Sequence, residues 1–126
     1  MRCYDITVRC MIVDNSVRFL EVATVRLDRG GLEVVATATT SKQALDLVEH
    51  LRPDVVLVDI SLGSESGLDL AGRIADRSDP PAVVLISTRA EADYVALIAK
   101  SPAIGFIAKS RLSVEAVRRL VGTSAP

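Results

Sequence analysis

Asp54-Val55-Val56-Leu57-Val58-Asp59-Ile60-Ser61-Leu62-Gly63-Ser64-Glu65-Ser66-Gly67 decides the fold: an apolar run stops on a carboxylate and gives way to a turn built of Gly and Ser. Val55 to Val58 show no polar alternation, which suits a strand buried on both faces in a parallel sheet under two helical layers. Such a strand puts Asp59 at its carboxyl end, the edge where ligands of open α/β sheets bind. Two readings of Asp59 stand at this point: a carboxylate placed for chemistry, or one that caps the following turn.

On the N-terminal side, Val8 to Asp14 reads as a first strand that also ends on a carboxylate. Ser16 then caps a helix over Val17 to Arg29, with Phe19, Leu20, Ala23 and Leu27 at helical spacing and Gly30-Gly31 as the stop. Leu32 to Ala38 is a second strand. Thr40 or Ser41 starts a helix whose apolar face is Ala44, Leu45, Leu47, Val48 and Leu51, and Pro53 ends it. On the C-terminal side, Ser66 caps a helix over Gly67 to Arg77, and Ser78-Asp79-Pro80-Pro81 is a turn. Ala82 to Ser87 is a fourth buried strand, Glu91 to Lys100 a weakly patterned helix broken by Pro102, and Ile104 to Ala108 a fifth strand ending on Lys109. Ser113 caps a last helix through Val121.

Strands that alternate with helices at this spacing imply one α/β domain, a doubly wound parallel sheet with helices on both faces, because each right-handed crossover lays its helix on the sheet. The single domain spans 1–126, with 1–7 and 122–126 expected as loose ends. Hydrophobic residues make up 49% of the 126 and aromatics 3%, so the core is built from Val, Leu, Ile and Ala. Fifteen basic and sixteen acidic residues leave a net charge of −1. No Lys/Arg run exceeds Arg118-Arg119, so direct nucleic-acid binding is not expected. No apolar segment reaches the roughly 18 residues that span a bilayer, and Met1 to Asp5 carry no signal-type apolar region, so a cytoplasmic protein without membrane contact is expected. Cys10 reads as a small buried hydrophobe, Cys3 as part of the terminus, and no disulfide is expected between them. One histidine and no CxxC leave a zinc site without ligands.

The strand-end residues form a pattern: Asp14, Asp59, Ser87 and Lys109. Two carboxylates, a hydroxyl and an ammonium at one sheet edge suit an oxyanion held with a hard divalent cation. Phosphoryl transfer is largely positioning plus charge stabilisation, and this set supplies both without a histidine base. No GxxxxGK[ST] or GxGxxG supports a nucleotide on a glycine-rich loop. Gly63 to Gly67 is no nucleophile elbow, because Glu65 stands where Ser is needed. A dehalogenase-like phosphatase would want a second Asp at position 61, which is Ser61.

Ile12-Val13-Asp14-Asn15, Val56 to Ile60, Gly67 eight residues after Asp59, Val84 to Ser87, and Gly105-Phe106-Ile107-Ala108-Lys109 together resemble the receiver domain of bacterial two-component response regulators, from Val8 to Val121. The resemblance implies a flavodoxin-like strand order 2-1-3-4-5, the order for which such a receiver is a standard example. It also implies that Asp59 accepts a phosphoryl group from a phosphohistidine on a sensor histidine kinase. Mg2+ would then be held by Asp14, Asn15, Asp59 and the main-chain carbonyl of Ser61. Lys109 and Ser87 would meet the phosphoryl oxygens, and Phe106 would be the aromatic whose rotamer follows Ser87, although plain core packing explains Phe106 equally well. Such a domain catalyses its own phosphorylation and hydrolysis without being a turnover enzyme, and works on an output domain or effector, with a homodimer as a further option.

Three departures from the family's pattern stand out: Asn15 in place of a second acid, Gly63 where Pro is common, and Ser110 where Pro is frequent. The first weakens the expected magnesium site, and the other two affect loop stiffness. Arg89, two residues past Ser87, is expected beside the open face of the phosphoryl group, where it would modulate hydrolysis. An atypical receiver that binds partners regardless of phosphorylation is the alternative reading. The chain ends before DNA-binding helices would fit, and the sequence leaves open whether it stands alone or belongs to a longer regulator.

Overall fold

The computed structural model describes residues 7–124, with side chains through residue 122. Five strands form one parallel sheet: β1 (Arg9–Val13), β2 (Glu33–Ala38), β3 (Val55–Asp59), β4 (Ala82–Ser87) and β5 (Gly105–Ala108). They lie in the order β2-β1-β3-β4-β5. Five helices connect and follow them: α1 (Val17–Arg29), α2 (Ser41–Leu51), α3 (Gly67–Ala75), α4 (Val95–Lys100) and α5 (Val114–Ser124). This is the doubly wound, flavodoxin-like fold.

The unbroken apolar runs are explained by what covers the sheet. Met11, Val13, Val56, Val58, Val83 and Leu85 face α2 and α3, meeting Ala44, Leu45, Val48, Leu70, Ala71 and Ile74. Cys10, Ile12, Val55, Leu57, Val84 and Ile86 point the other way, onto Leu20, Ala23 and Leu27 of α1 and Val114 and Val117 of α5. Because side chains alternate along a strand, both sets must be apolar when both faces are covered. All five residues of β3, Asp59 included, are buried. Cys10 is a free, buried thiol, pushed up to about 12 by burial and then by the negative charge of Asp28. Cys3 lies outside the described residues, as do residues 1–6 of the terminus expected to be loose.

Local signals set most element ends. Ser16, Thr40, Ser66 and Ser113 each accept a hydrogen bond from the main-chain N–H three residues on, which satisfies a donor that the helix leaves free. Thr40, not Ser41, is thus the cap of α2. Gly31, at φ +102°, turns the chain after α1, and Arg52, at φ 51°, ends α2 ahead of Pro53.

Three helices differ from the sequence reading, and three strands begin one residue later than it placed them, at Arg9, Glu33 and Gly105. The helix expected over Glu91–Lys100 is a 3-10 turn at Glu91–Asp93, an interruption at Tyr94, and a six-residue α4. Neither piece has a side-chain cap and none of α4 is buried, so little holds a continuous helix there. Helix α3 stops at Ala75 rather than Arg77, with Arg77 N–H bonded to the Ile74 carbonyl in the closing turn. At the C-terminus α5 runs on to Ser124, so residues 122–124 are helical and not a loose end, while Ala125 and Pro126 lie outside the described residues. The Gly/Ser turn after Asp59 also contains a hairpin, pairing Ser61 with Ser66 and Leu62 with Glu65.

Candidate functional site

Parallel strands bring all their carboxyl ends to one edge, and the register fixes how level they are. Val13 pairs with Val58, Asp59 with Ile86 and Ser87 with Ala108. Asp14, Asp59, Ser87 and Lys109 therefore arrive at one rim. Asp14 follows β1 and its N–H still bonds to the Ala38 carbonyl of β2, so the ladder itself holds its backbone.

Lys109 reaches across the rim. Its ammonium lies 2.9 Å from Asp59 Oδ2 and 2.5 Å from Asp14 Oδ2, bridging two carboxylates from different strands. Asp14 is fully buried and Asp59 nearly so, whereas the Lys109 side chain keeps 13% of its exposure. The other carboxylate oxygens are held by main chain: Asp14 Oδ1 accepts from Ser16 N–H at 2.9 Å, and Asp59 Oδ1 from Ser61 N–H at 3.1 Å. Asp59 thus caps its own turn with one oxygen, and its other oxygen meets the Lys109 ammonium at the rim. Among the described residues, Asp14 Oδ2 meets the Lys109 ammonium as an ion pair and has no hydrogen-bond partner.

Burial pushes the Asp59 carboxyl above the usual carboxylate range, and the charge of Asp14 adds to the rise. The hydrogen bonds from Lys109 and Ser61 and the charge of Lys109 oppose this without cancelling it. For Lys109 the balance falls the other way. Burial alone would lower it, but the pull of Asp14 and Asp59 holds the ammonium above the usual lysine range, so it stays charged at neutral pH.

Ser87 is buried, and its Oγ accepts from Arg89 N–H at 3.1 Å, which leaves the hydroxyl proton free to donate elsewhere. Arg89, two residues past Ser87, is exposed. Asn15 is exposed next to Asp14, and its Nδ2 would lie 3.2 Å from a Cβ placed on Gly63. Phe106 is not at the rim: it pairs in register with Leu85, two residues short of Ser87, and its ring centroid lies 6.4 Å from that of Tyr94. The sequence marks Phe19 only as a core position of α1, yet its ring centroid lies 4.5 Å from the Lys109 ammonium. Its helical spacing carried no sign of this, because the contact joins residues 90 apart in the chain.

The model for the response regulator receiver domain matches residues 10–120. The chain belongs to that family. This receiver is 32% identical over 90 residues to the positive alginate biosynthesis regulatory protein of Pseudomonas aeruginosa, covering 71% of this chain and 36% of that protein. It is 35% identical over 103 residues to a protein-glutamate methylesterase/protein-glutamine glutaminase of Syntrophomonas wolfei, covering 81% of this chain and 29% of that protein. The receiver therefore spans about a third of the length of these curated relatives. Among solved structures, the signal receiver domain of the putative response regulator NarL from Mycobacterium tuberculosis superposes with a TM-score of 0.82 at 28% identity, over 92% of this chain and 97% of that one. The response regulator domain of Thermotoga maritima CheB, at 21% identity and a TM-score of 0.81, shares the fold over 96% of this chain and 100% of its own.

The receiver's rim suits a hard cation in donor type. Asp14 Oδ2 is a buried carboxylate oxygen without a hydrogen bond, Asp59 Oδ2 lies across the same ammonium, and oxygen donors are what such ions take. Among the described residues, however, no three acidic, histidine or cysteine side chains cluster, and the residue after Asp14 is the neutral Asn15. No helix of the described residues is long and apolar enough to cross a membrane.

Proposed function

We propose that this receiver takes a phosphoryl group onto Asp59 from the phosphohistidine of a sensor histidine kinase and, so modified, acts on an output domain or effector protein in the cytoplasm. The observation that carries the reading is the Lys109 ammonium spanning Asp59 Oδ2 and Asp14 Oδ2 at the carboxyl edge of the sheet. In the transfer, a carboxylate oxygen of Asp59 bonds to phosphorus while the phosphorus–nitrogen bond of the donor breaks and the imidazole leaves with that electron pair. Lys109 offsets negative charge on the transferring group, and the Ser87 hydroxyl donates a hydrogen bond to a phosphoryl oxygen. Asp14, Asn15, Asp59 and the Ser61 carbonyl would hold Mg2+, which supplies further charge neutralisation when bound.

Incubation with Mg2+ and a small phosphodonor, followed by intact-mass measurement, tests the reading. The parent is expected to gain one phosphoryl mass and Asp59→Asn none. Gain by the variant would move the acceptor elsewhere. A parent that never gains mass would favour the reading to which Asn15 points, a receiver that binds partners without being phosphorylated.

A further inference from the structure

Lys109 is gripped by more than its two carboxylates. The Phe19 ring covers another side of the ammonium, 4.5 Å from Nζ to the ring centroid, and Phe19 belongs to the same local unit as Asp14. Asp14 Oδ1 accepts from Ser16 N–H at 2.9 Å, and Ser16 Oγ accepts from Phe19 N–H at 3.2 Å. The start of α1 thus presents a carboxylate oxygen and a ring face to one ammonium arriving from β5.

We propose that Phe19 is a positioning residue for Lys109, its ring holding the ammonium over the Asp14–Asp59 pair so that it is already placed when a phosphoryl group arrives. A lysine has four stem bonds to order, and attraction to two carboxylates is poorly directional, whereas a ring face confines the cation from a third side. Phe19 is also half-buried against the core between the sheet, α1 and α5. Leucine or methionine can fill that space, but neither offers the negative face of an aromatic ring. The effect on phosphorylation rests on Asp59 being the acceptor. The position of Lys109 does not.

The chain has three lysines, Lys42, Lys100 and Lys109, so their side-chain resonances are readily told apart. In chelator and without phosphodonor, the ε-methylene protons of Lys109 are expected upfield of those of Lys42 and Lys100, shifted by the Phe19 ring current. Phe19→Tyr should retain this shift and phosphorylate within about twofold of the parent, because it keeps the ring face. Phe19→Leu should lose the shift and phosphorylate about three- to tenfold more slowly, the range expected for a partly desolvated cation over a ring. Phe19→Met serves in its place if the leucine variant is poorly folded. Absence of the upfield shift in the parent, or a folded leucine or methionine variant phosphorylating at the parent's rate, overturns the proposal. A parent that shows the shift but never takes a phosphoryl group supports the placement of Lys109 and overturns the acceptor reading instead.

Discussion

Gly67 lies against the main chain of Asp59 so closely that a Cβ on it would overlap the Asp59 carbonyl oxygen. Its N–H donates to the next carbonyl, that of Ile60, at 2.8 Å. The first residue of α3 and the end of β3 are therefore in backbone contact, and the obstacle is main chain that cannot rotate away. Gly67→Ala must push α3 off the strand, and overpacking of this kind costs about 1–3 kcal/mol. Urea unfolding should show that loss. An unchanged midpoint would mean that the loop yields freely and that the Asp59 backbone is not held from this side.

Asp59 should cost the unmodified fold stability at neutral pH. Its carboxyl titrates above the ordinary range, with burial the main cause, so the folded protein holds its proton to a higher pH than the unfolded chain does. Stability contributed by this group falls as pH rises from the unfolded pKa through the folded one and stays low above it. Asp59→Asn removes the titration, so in chelator it should melt higher than the parent at pH 7, with the gap closing towards pH 4. A variant that melts lower at pH 7 would show that the Lys109 ion pair outweighs the burial.

The sheet and its rim were legible because they rest on short-range signals. Runs such as Val55–Val58, rich in β-branched residues and bounded by turn residues, suit a doubly covered strand, and a carboxylate or lysine closing such a strand emerges at the rim. The strand order came from resemblance to the family, since no local signal says that β2 lies beside β1 at the edge. Missing from the sequence were two local features without a strong signal and one contact across the fold. The hairpin pairing Ser61 with Ser66 depends on Gly63 at φ +71°, the break at Tyr94 on the lack of a cap, and the Phe19 contact on the Lys109 side chain reaching across the rim.

Arg89 should slow loss of the phosphoryl group. Its N–H is tied to Ser87 Oγ at 3.1 Å, which fixes residue 89 immediately past the hydroxyl proposed to meet the phosphoryl oxygens, and its side chain is exposed there. A long cation at that spot hinders the line along which water must approach phosphorus. Arg89→Ala is expected to shorten the acyl-phosphate lifetime several-fold, followed by intact mass after removal of the phosphodonor. An equal or longer lifetime in the variant would place the side chain away from that path.

Asn15→Asp should tighten magnesium binding and slightly weaken the metal-free fold. Asn15 stands beside the fully buried Asp14 and approaches Gly63 in the loop that follows Asp59, so a carboxylate there joins the two already at the rim. Magnesium prefers charged oxygens, and the amide keeps an oxygen donor while withholding a negative charge. In the metal-free protein, Lys109 already neutralises one of two carboxylates packed against it, and a third negative charge adds repulsion to the pair. Position 15 is exposed, so screening keeps the interaction on the order of 1 kcal/mol, which corresponds to several-fold in dissociation constant. Titration of Mg2+ into both forms measures the first effect, and melting in chelator measures the second. Equal affinities would mean that residue 15 does not reach the cation, leaving Asp14, Asp59 and the Ser61 carbonyl as the whole of the protein's contribution.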